Sequence, residues 1–165
     1  MTRWLVVALL FGVTGPVFAA YDADGVPLGA SEREVRKRYP GARCKALEWA
    51  SKAAERRCDD VKAVFAGIEA RITFYLRKDA VEAFDVRFDS QFAERIAGIL
   101  TARYGKPVTE ANEPVERGNQ PARKIYKVLW ENQAERALLT APSDKRRASL
   151  VVSRGGFDEE IYRIR

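Results

Sequence analysis

Ile72-Thr73-Phe74-Tyr75-Leu76-Arg77-Lys78-Asp79-Ala80-Val81-Glu82-Ala83-Phe84-Asp85-Val86-Arg87-Phe88 decides the fold. Ile72, Phe74 and Leu76 alternate with Thr73 and Tyr75, and after the turn residues Arg77 to Ala80 the set Phe84, Val86, Phe88 alternates with Asp85 and Arg87. A period of two is the mark of a half-buried strand, so the stretch is predicted to be an antiparallel hairpin. Pairing Ile72 with Phe88, Phe74 with Val86 and Leu76 with Phe84 makes one face wholly apolar. The other face then carries Thr73 opposite Arg87 and Tyr75 opposite Asp85, as on a solvent-facing ladder.

Upstream, Val61 to Gly67 reads as a further strand or its approach. Cys44 and Cys58 are the only two cysteines. If Arg43 to Trp49 and Ala53 to Asp59 form a hairpin, positions summing to 102 lie opposite each other and Cys44 faces Cys58, so a disulfide is expected. The other reading is a reactive Cys58 thiolate beside Arg56 and Arg57. Ser31-Glu32-Arg33-Glu34 is a capping box that starts a short helix from about Glu32 to Tyr39, closed by Pro40-Gly41. Arg33, Arg36, Lys37 and Arg38 give it a basic exterior. Asp22 to Gly25 lacks the later oxygen ligands of a calcium loop and reads as a flexible start, with no metal expected.

Downstream, Asp89-Ser90 is a helix N-cap, and Phe92, Ile96, Ile99, Leu100 and Tyr104 make one apolar stripe before Gly105 and Pro107. Residues 106–122, with three prolines, read as a long exposed loop. Lys124 to Trp130 and Glu135 to Ala141 form a second hairpin, and Arg147 to Ser153 a last clear strand. Phe157 to Arg165 fits a further strand or a frayed end. The expected class is α+β: an antiparallel sheet packed by two helices, arranged as two helix-then-strands units.

The first residues give an address. Met1-Thr2-Arg3, the uncharged run Trp4 to Val13 and the small residues before Ala19 form a secretory signal peptide over 1–19, cut between Ala19 and Ala20. Ten apolar residues are too few to span a bilayer, so no transmembrane helix is expected in the mature chain. A single domain over 20–165, periplasmic or secreted, follows. The full chain has 29 Lys+Arg against 23 Asp+Glu, a net charge of +6. Cleavage removes one Arg and brings this to +5. Such a chain meets anionic envelope surfaces rather than nucleic acid. Arg33, Arg36, Lys37, Lys145, Arg146 and Arg147 are the candidate contacts for such a surface.

The chain has no histidine. That removes the Ser-His-Asp and Cys-His nucleophile systems, His-bearing zinc sites and imidazole acid/base chemistry. The adjacent carboxylates Asp59-Asp60 and Glu159-Glu160 point to opposite sides of a strand, and no phosphate-binding glycine loop is present. No cofactor and no catalytic residue are expected, the alternatives to a protein-binding role being a polyanion- or lipid-surface-binding protein of the envelope and, after it, a carboxylate-based hydrolase. A noncatalytic binding protein is the expectation, using Tyr75, Arg77, Asp85 and Arg87 on the outward face of the central hairpin, with Trp49 or Trp130 near its rim.

The signal peptide, Gly29-Ala30-Ser31-Glu32-Arg33-Glu34-Val35 leading into a short helix, and the strand succession after it carry a resemblance. In outline the chain resembles small exported bacterial helix and β-hairpin repeat proteins: the SmpA/OmlA (BamE) outer-membrane assembly lipoproteins and the β-lactamase-inhibitor-like proteins. The lipid-modified cysteine of the assembly lipoproteins is absent. The resemblance implies a noncatalytic, protein-binding role in the envelope and transfers no functional residue.

Overall fold

The structure is a computed structural model and describes residues 21–117, 120–154 and Phe157. The signal-peptide expectation, and the tail reading beyond Phe157, fall outside the described residues. Strand β1 (Asp22–Ala23) pairs with β2 (Val26–Pro27) as a small separate hairpin. Helix α1 (Glu32–Arg38) follows, then β3 (Arg43–Ala46), β4 (Arg56–Phe65), β5 (Ile68–Arg77) and β6 (Ala80–Asp89). A 3-10 turn (Ser90–Phe92) leads into α2 (Ala93–Tyr104). Strands β7 (Thr109–Arg117), β8 (Gln120–Glu131), β9 (Glu135–Pro142) and β10 (Arg147–Arg154) complete the described chain. The large sheet has eight strands in the order β3-β4-β5-β6-β10-β9-β8-β7, all neighbours antiparallel. Its two sequential runs meet where β10 pairs with β6.

The expected α+β class, a sheet packed by two helices, is therefore corrected: the chain is mostly β. The eight-stranded sheet and the small hairpin dominate, and the helices are only 7 and 12 residues long. The strands reach further than period-two reading showed. The loop expected over 106–122 is strand β7 and the start of β8, because Thr109 pairs with Leu129 and Val115 with Arg123. Both faces of β7 are polar, and Pro114 lies on the sheet's outermost strand, where a missing N–H costs no ladder bond. Such an edge strand shows no apolar alternation.

The central hairpin keeps its predicted faces but not its predicted register. Ile72 lies opposite Val86 and Phe74 opposite Phe84. The turn has two residues rather than four: Lys78 and Asp79, at φ 49° and 58°, form the left-handed pair that matches strand twist. An irregularity between Tyr75 and Leu76 absorbs the odd residue. A slip of two leaves every side chain on its face.

The segment expected to be a flexible start is instead built in. Asp24 and Gly25, at φ 47° and 97°, make a two-residue turn between β1 and β2. Asp-Gly is a strong signal for that turn. Tyr21, Ala23, Val26 and Leu28 are all buried in the main core. The Asp24 carboxylate accepts from the Ala66 N–H at 2.7 Å and from Arg103 Nη1 at 2.5 Å, tying the hairpin to the β4–β5 turn and to α2.

The helices cover one face of the sheet. Ser31 and Glu34 close the capping box that starts α1, and α1 buries Val35. The Tyr39 ring, at its C-terminal end, sits 5.3 Å from that of Phe74. Helix α2 buries Ala93, Ile96, Ala97 and Leu100. Beneath them lie Phe74, Phe84, Val86, Val128, Trp130, Leu139, Leu150 and Val152, inward residues of five strands. Among the described residues, no helix is long and apolar enough to cross a membrane.

Candidate functional site

Because side chains alternate along a strand, the residues facing away from the helices form a second surface. Cross-strand register sorts them into rows. One row runs Leu129, Leu138, Val151, Asp85, Thr73, Asp59, Arg43 from β8 to β3. The next runs Lys127, Thr140, Ser149, Arg87, Arg71. Leu129, Leu138, Val151, Thr140 and Ser149 are all half-buried. Among the described residues, neither α1 nor α2 lies over them.

The face is not open everywhere. A second small core of Ala54, Tyr75, Ala83 and Phe157, with Leu47, Ala53 and Trp49 packed on it, covers part of the β4–β6 region. The Tyr75 and Phe157 rings are 5.4 Å apart. Two of the four residues expected to form a solvent-facing binding patch are thus buried: Tyr75 is 9% and Asp85 7% exposed. Arg77 stays exposed at the hairpin end. Arg87 holds Asp85 through a 3.0 Å ion pair. Burial pushes the Asp85 carboxyl up, against the opposing pull of Arg87. Strand alternation places these residues on the side away from the helices, but it cannot show that residues 47–54 and Phe157 fold back over them.

Cys44 and Cys58 are direct cross-strand partners joined by a disulfide, with Cα atoms 3.9 Å apart. Glu32 lies beside them, close enough that the three could be a metal-ligand set. The two sulfurs are spent on each other, and Glu32 accepts from Arg36 and Arg56 at 2.9 Å each. Partial burial of Glu32 works against ionisation, yet the two guanidiniums outweigh it and hold its carboxyl below the usual range.

The six cations expected to meet an anionic surface do not form one patch. Arg33, Arg36 and Lys37 stand on α1, over the helix face. Lys145, Arg146 and Arg147 lie at and just after the β9–β10 turn, where Ser90 donates to the Lys145 carbonyl. There the structure adds residues that sequence reading missed. Lys62, Arg71, Arg87, Arg146 and Arg147 line a cleft of about 660 Å³ in which, among the described residues, Glu69 and Asp89 are the acidic walls. Arg71 shares the parity of Thr73 and Tyr75, so extending the strand upstream would have found it. Lys62 arrives through a bulge, which parity does not foresee: Asp60 pairs with Ile72 and Ala63 with Ala70, leaving Val61 and Lys62 opposite Arg71 alone. A second, smaller cavity near Asp22, Asp24, Arg38 and Arg103 is lined by charges that largely pair with one another.

Five tyrosines are held above their ordinary pKa, each first by burial. For Tyr21, Tyr39, Tyr75 and Tyr104 nearby carboxylates add to it, and for Tyr126 the hydrogen bond to Glu110 does. A folded-state pKa above the unfolded value means the native state keeps protons the unfolded chain gives up. Their contribution is complete below pH 10 and is lost as the pH climbs past it. An absorbance titration is expected to show little tyrosinate until the circular dichroism also changes, with both transitions together above pH 10. Ionisation of most tyrosines near pH 10 in a still-folded protein would contradict these environments.

No family model, curated protein or solved structure matches the chain.

Proposed function

We propose that this chain is an exported, noncatalytic binding protein that recognises an acidic surface on a protein partner through the open face of its sheet. The observation that carries the reading is the half-buried row Leu129, Leu138, Val151 flanked by the row Lys127, Thr140, Ser149, Arg87, Arg71. An apolar strip beside hydroxyls and cations is the make-up of a recognition surface, and the cations set the sign of the partner. The resemblance to envelope assembly lipoproteins and β-lactamase-inhibitor-like proteins belongs to the same proposal.

Export is supported by the leader pattern and by the disulfide, which persists in oxidising compartments. The expected cut falls one residue before Tyr21, which is buried and whose N–H donates to Glu135 Oε2 at 2.9 Å. The intact mass of protein from the periplasm or medium is expected to match a chain starting at Ala20, with no free thiol.

Leu138→Arg places a long cation in the apolar strip of a half-exposed position, so the fold should be kept. Its capture of the partner from envelope extract is expected to fall at least tenfold, about 1.4 kcal/mol, while Arg95→Glu on the outside of α2 leaves capture unchanged. Equal loss from both, or from neither, would remove the open face from the account.

A further inference from the structure

The cleft at the end of the open face has a feature that the sheet alone does not explain. Arg71 and Arg87 are direct cross-strand partners. Like charges placed opposite each other destabilise a strand pair. The bulge then brings Lys62 opposite the same Arg71, and Arg147 enters two residues from Ser149, the partner of Arg87 on its other side. Asp85 answers Arg87, and Asp89 caps Gln91 at 3.0 Å while standing 3.9 Å from Arg146. Among the described residues, Lys62, Arg71 and Arg147 have no carboxylate within ion-pair range. Asp89 also stands cross-strand from Arg147, and five cations against Glu69, Asp89 and the Asp85 that holds Arg87 leave an excess of two positive charges around one concavity.

We propose that this cleft is a binding site for a phosphate monoester. A phosphomonoester carries close to two negative charges at neutral pH and three acceptor oxygens, so it answers several converging cations at once, whereas a carboxylate brings one charge. Guanidinium groups on adjacent strands suit it further, because their planar forks bond paired phosphate oxygens. The bound dianion supplies the counter-charge that Arg71 lacks beside the Arg87–Asp85 pair. Lys62 closes the cleft from the β4 side and Arg147 from the β10 side. The site shares Arg71 and Arg87 with the end of the row proposed for the partner, but its cleft does not include the apolar strip: Leu138, on β9, is not among the lining residues.

The test is calorimetric titration of the disulfide-bonded mature protein with glycerol 3-phosphate, inorganic phosphate, a poly-glutamate peptide, and vesicles with and without phosphatidic acid. Glycerol 3-phosphate is expected to bind, and Arg71→Gln to weaken it at least tenfold. Leu138→Arg is expected to leave it unchanged, which separates this site from the apolar strip of the proposed partner surface. Arg71→Gln without ligand is expected to melt no lower than the native protein, because it removes a repulsion, so lost binding is not lost folding. Saturation by the soluble ester identifies a free phosphate ester as the source. Binding only to phosphatidic acid vesicles, with the same dependence on Arg71, identifies a lipid head group, and either result supports the site. Tighter binding of poly-glutamate than of any phosphate, or phosphate binding indifferent to Arg71, overturns it.

Discussion

Trp130→Ala is expected to cost about 3–5 kcal/mol of stability, the range for truncating a fully buried large aromatic, and to lower the melting temperature by about 10 °C. Trp130 is 1% exposed. Its ring meets Tyr104 edge-on at 6.0 Å, and its Nε1 donates to the Gly105 carbonyl at 3.1 Å. That bond holds the C-terminal end of α2 against β8. Tyr104 in turn donates to the Asp22 carbonyl at 2.6 Å, and the Tyr21 ring lies 4.6 Å from it. One side chain thus connects the second run of strands, the longer helix and the small hairpin. The control is Trp49→Ala. Trp49 is half-buried and stacks against the Arg57 guanidinium at 5.6 Å, so its loss is expected to cost about 1 kcal/mol, the scale of a partly exposed cation–π contact. Equal losses in urea unfolding would mean that Trp130 does not join these elements.

Removal of the disulfide is the second large effect. The cysteines are 14 residues apart, and a loop of this length stabilises by about 3 kcal/mol in the chain-entropy picture. The local consequence is sharper than the global one. Strand β3 has four paired positions on one side only, and the disulfide joins its second residue to β4. Residues 47–54, which cover Tyr75, hang between the two strands. Reduction, or Cys44→Ala with Cys58→Ala, is therefore expected to expose Trp49 and Tyr75 before the main core yields. Trp49 fluorescence should shift at lower denaturant than the far-ultraviolet signal. A single coincident transition, unmoved by reduction, would contradict this role.

How much of this was legible in the sequence varied with the physics behind each element. The capping box, the disulfide partners and the inward set of the central hairpin rest on local geometry, and Cys44 does lie opposite Cys58. The α+β expectation fails because β7 and the far end of β4 carry charges, a proline and exposed valines, without the apolar alternation that betrays a half-buried strand. Val61 and Val64 are 61% and 56% exposed although they lie within a strand. The Asp24-Gly25 turn was readable and was missed because two-residue strands leave almost no pattern around it. For the candidate site, Arg87, Arg146 and Arg147 were singled out in two separate groups. Only the pairing of β10 with β6 brings them together. Tyr75 and Asp85 failed as surface residues because their cover comes from distant chain, which no local pattern encodes.

A partner held as proposed on the uncovered face of the sheet would lie within reach of its half-buried residues. A photo-crosslinking residue placed singly at Leu138, Thr140 or Ser149, and for comparison at Glu94 or Gly98 on α2, tests this in the intact envelope. The account predicts one adduct of the same mass from the three sheet positions, lost at high salt as charge-assisted association weakens, and none from the helix. Adducts from α2 alone, or none from the sheet with the protein folded and exported, would contradict it.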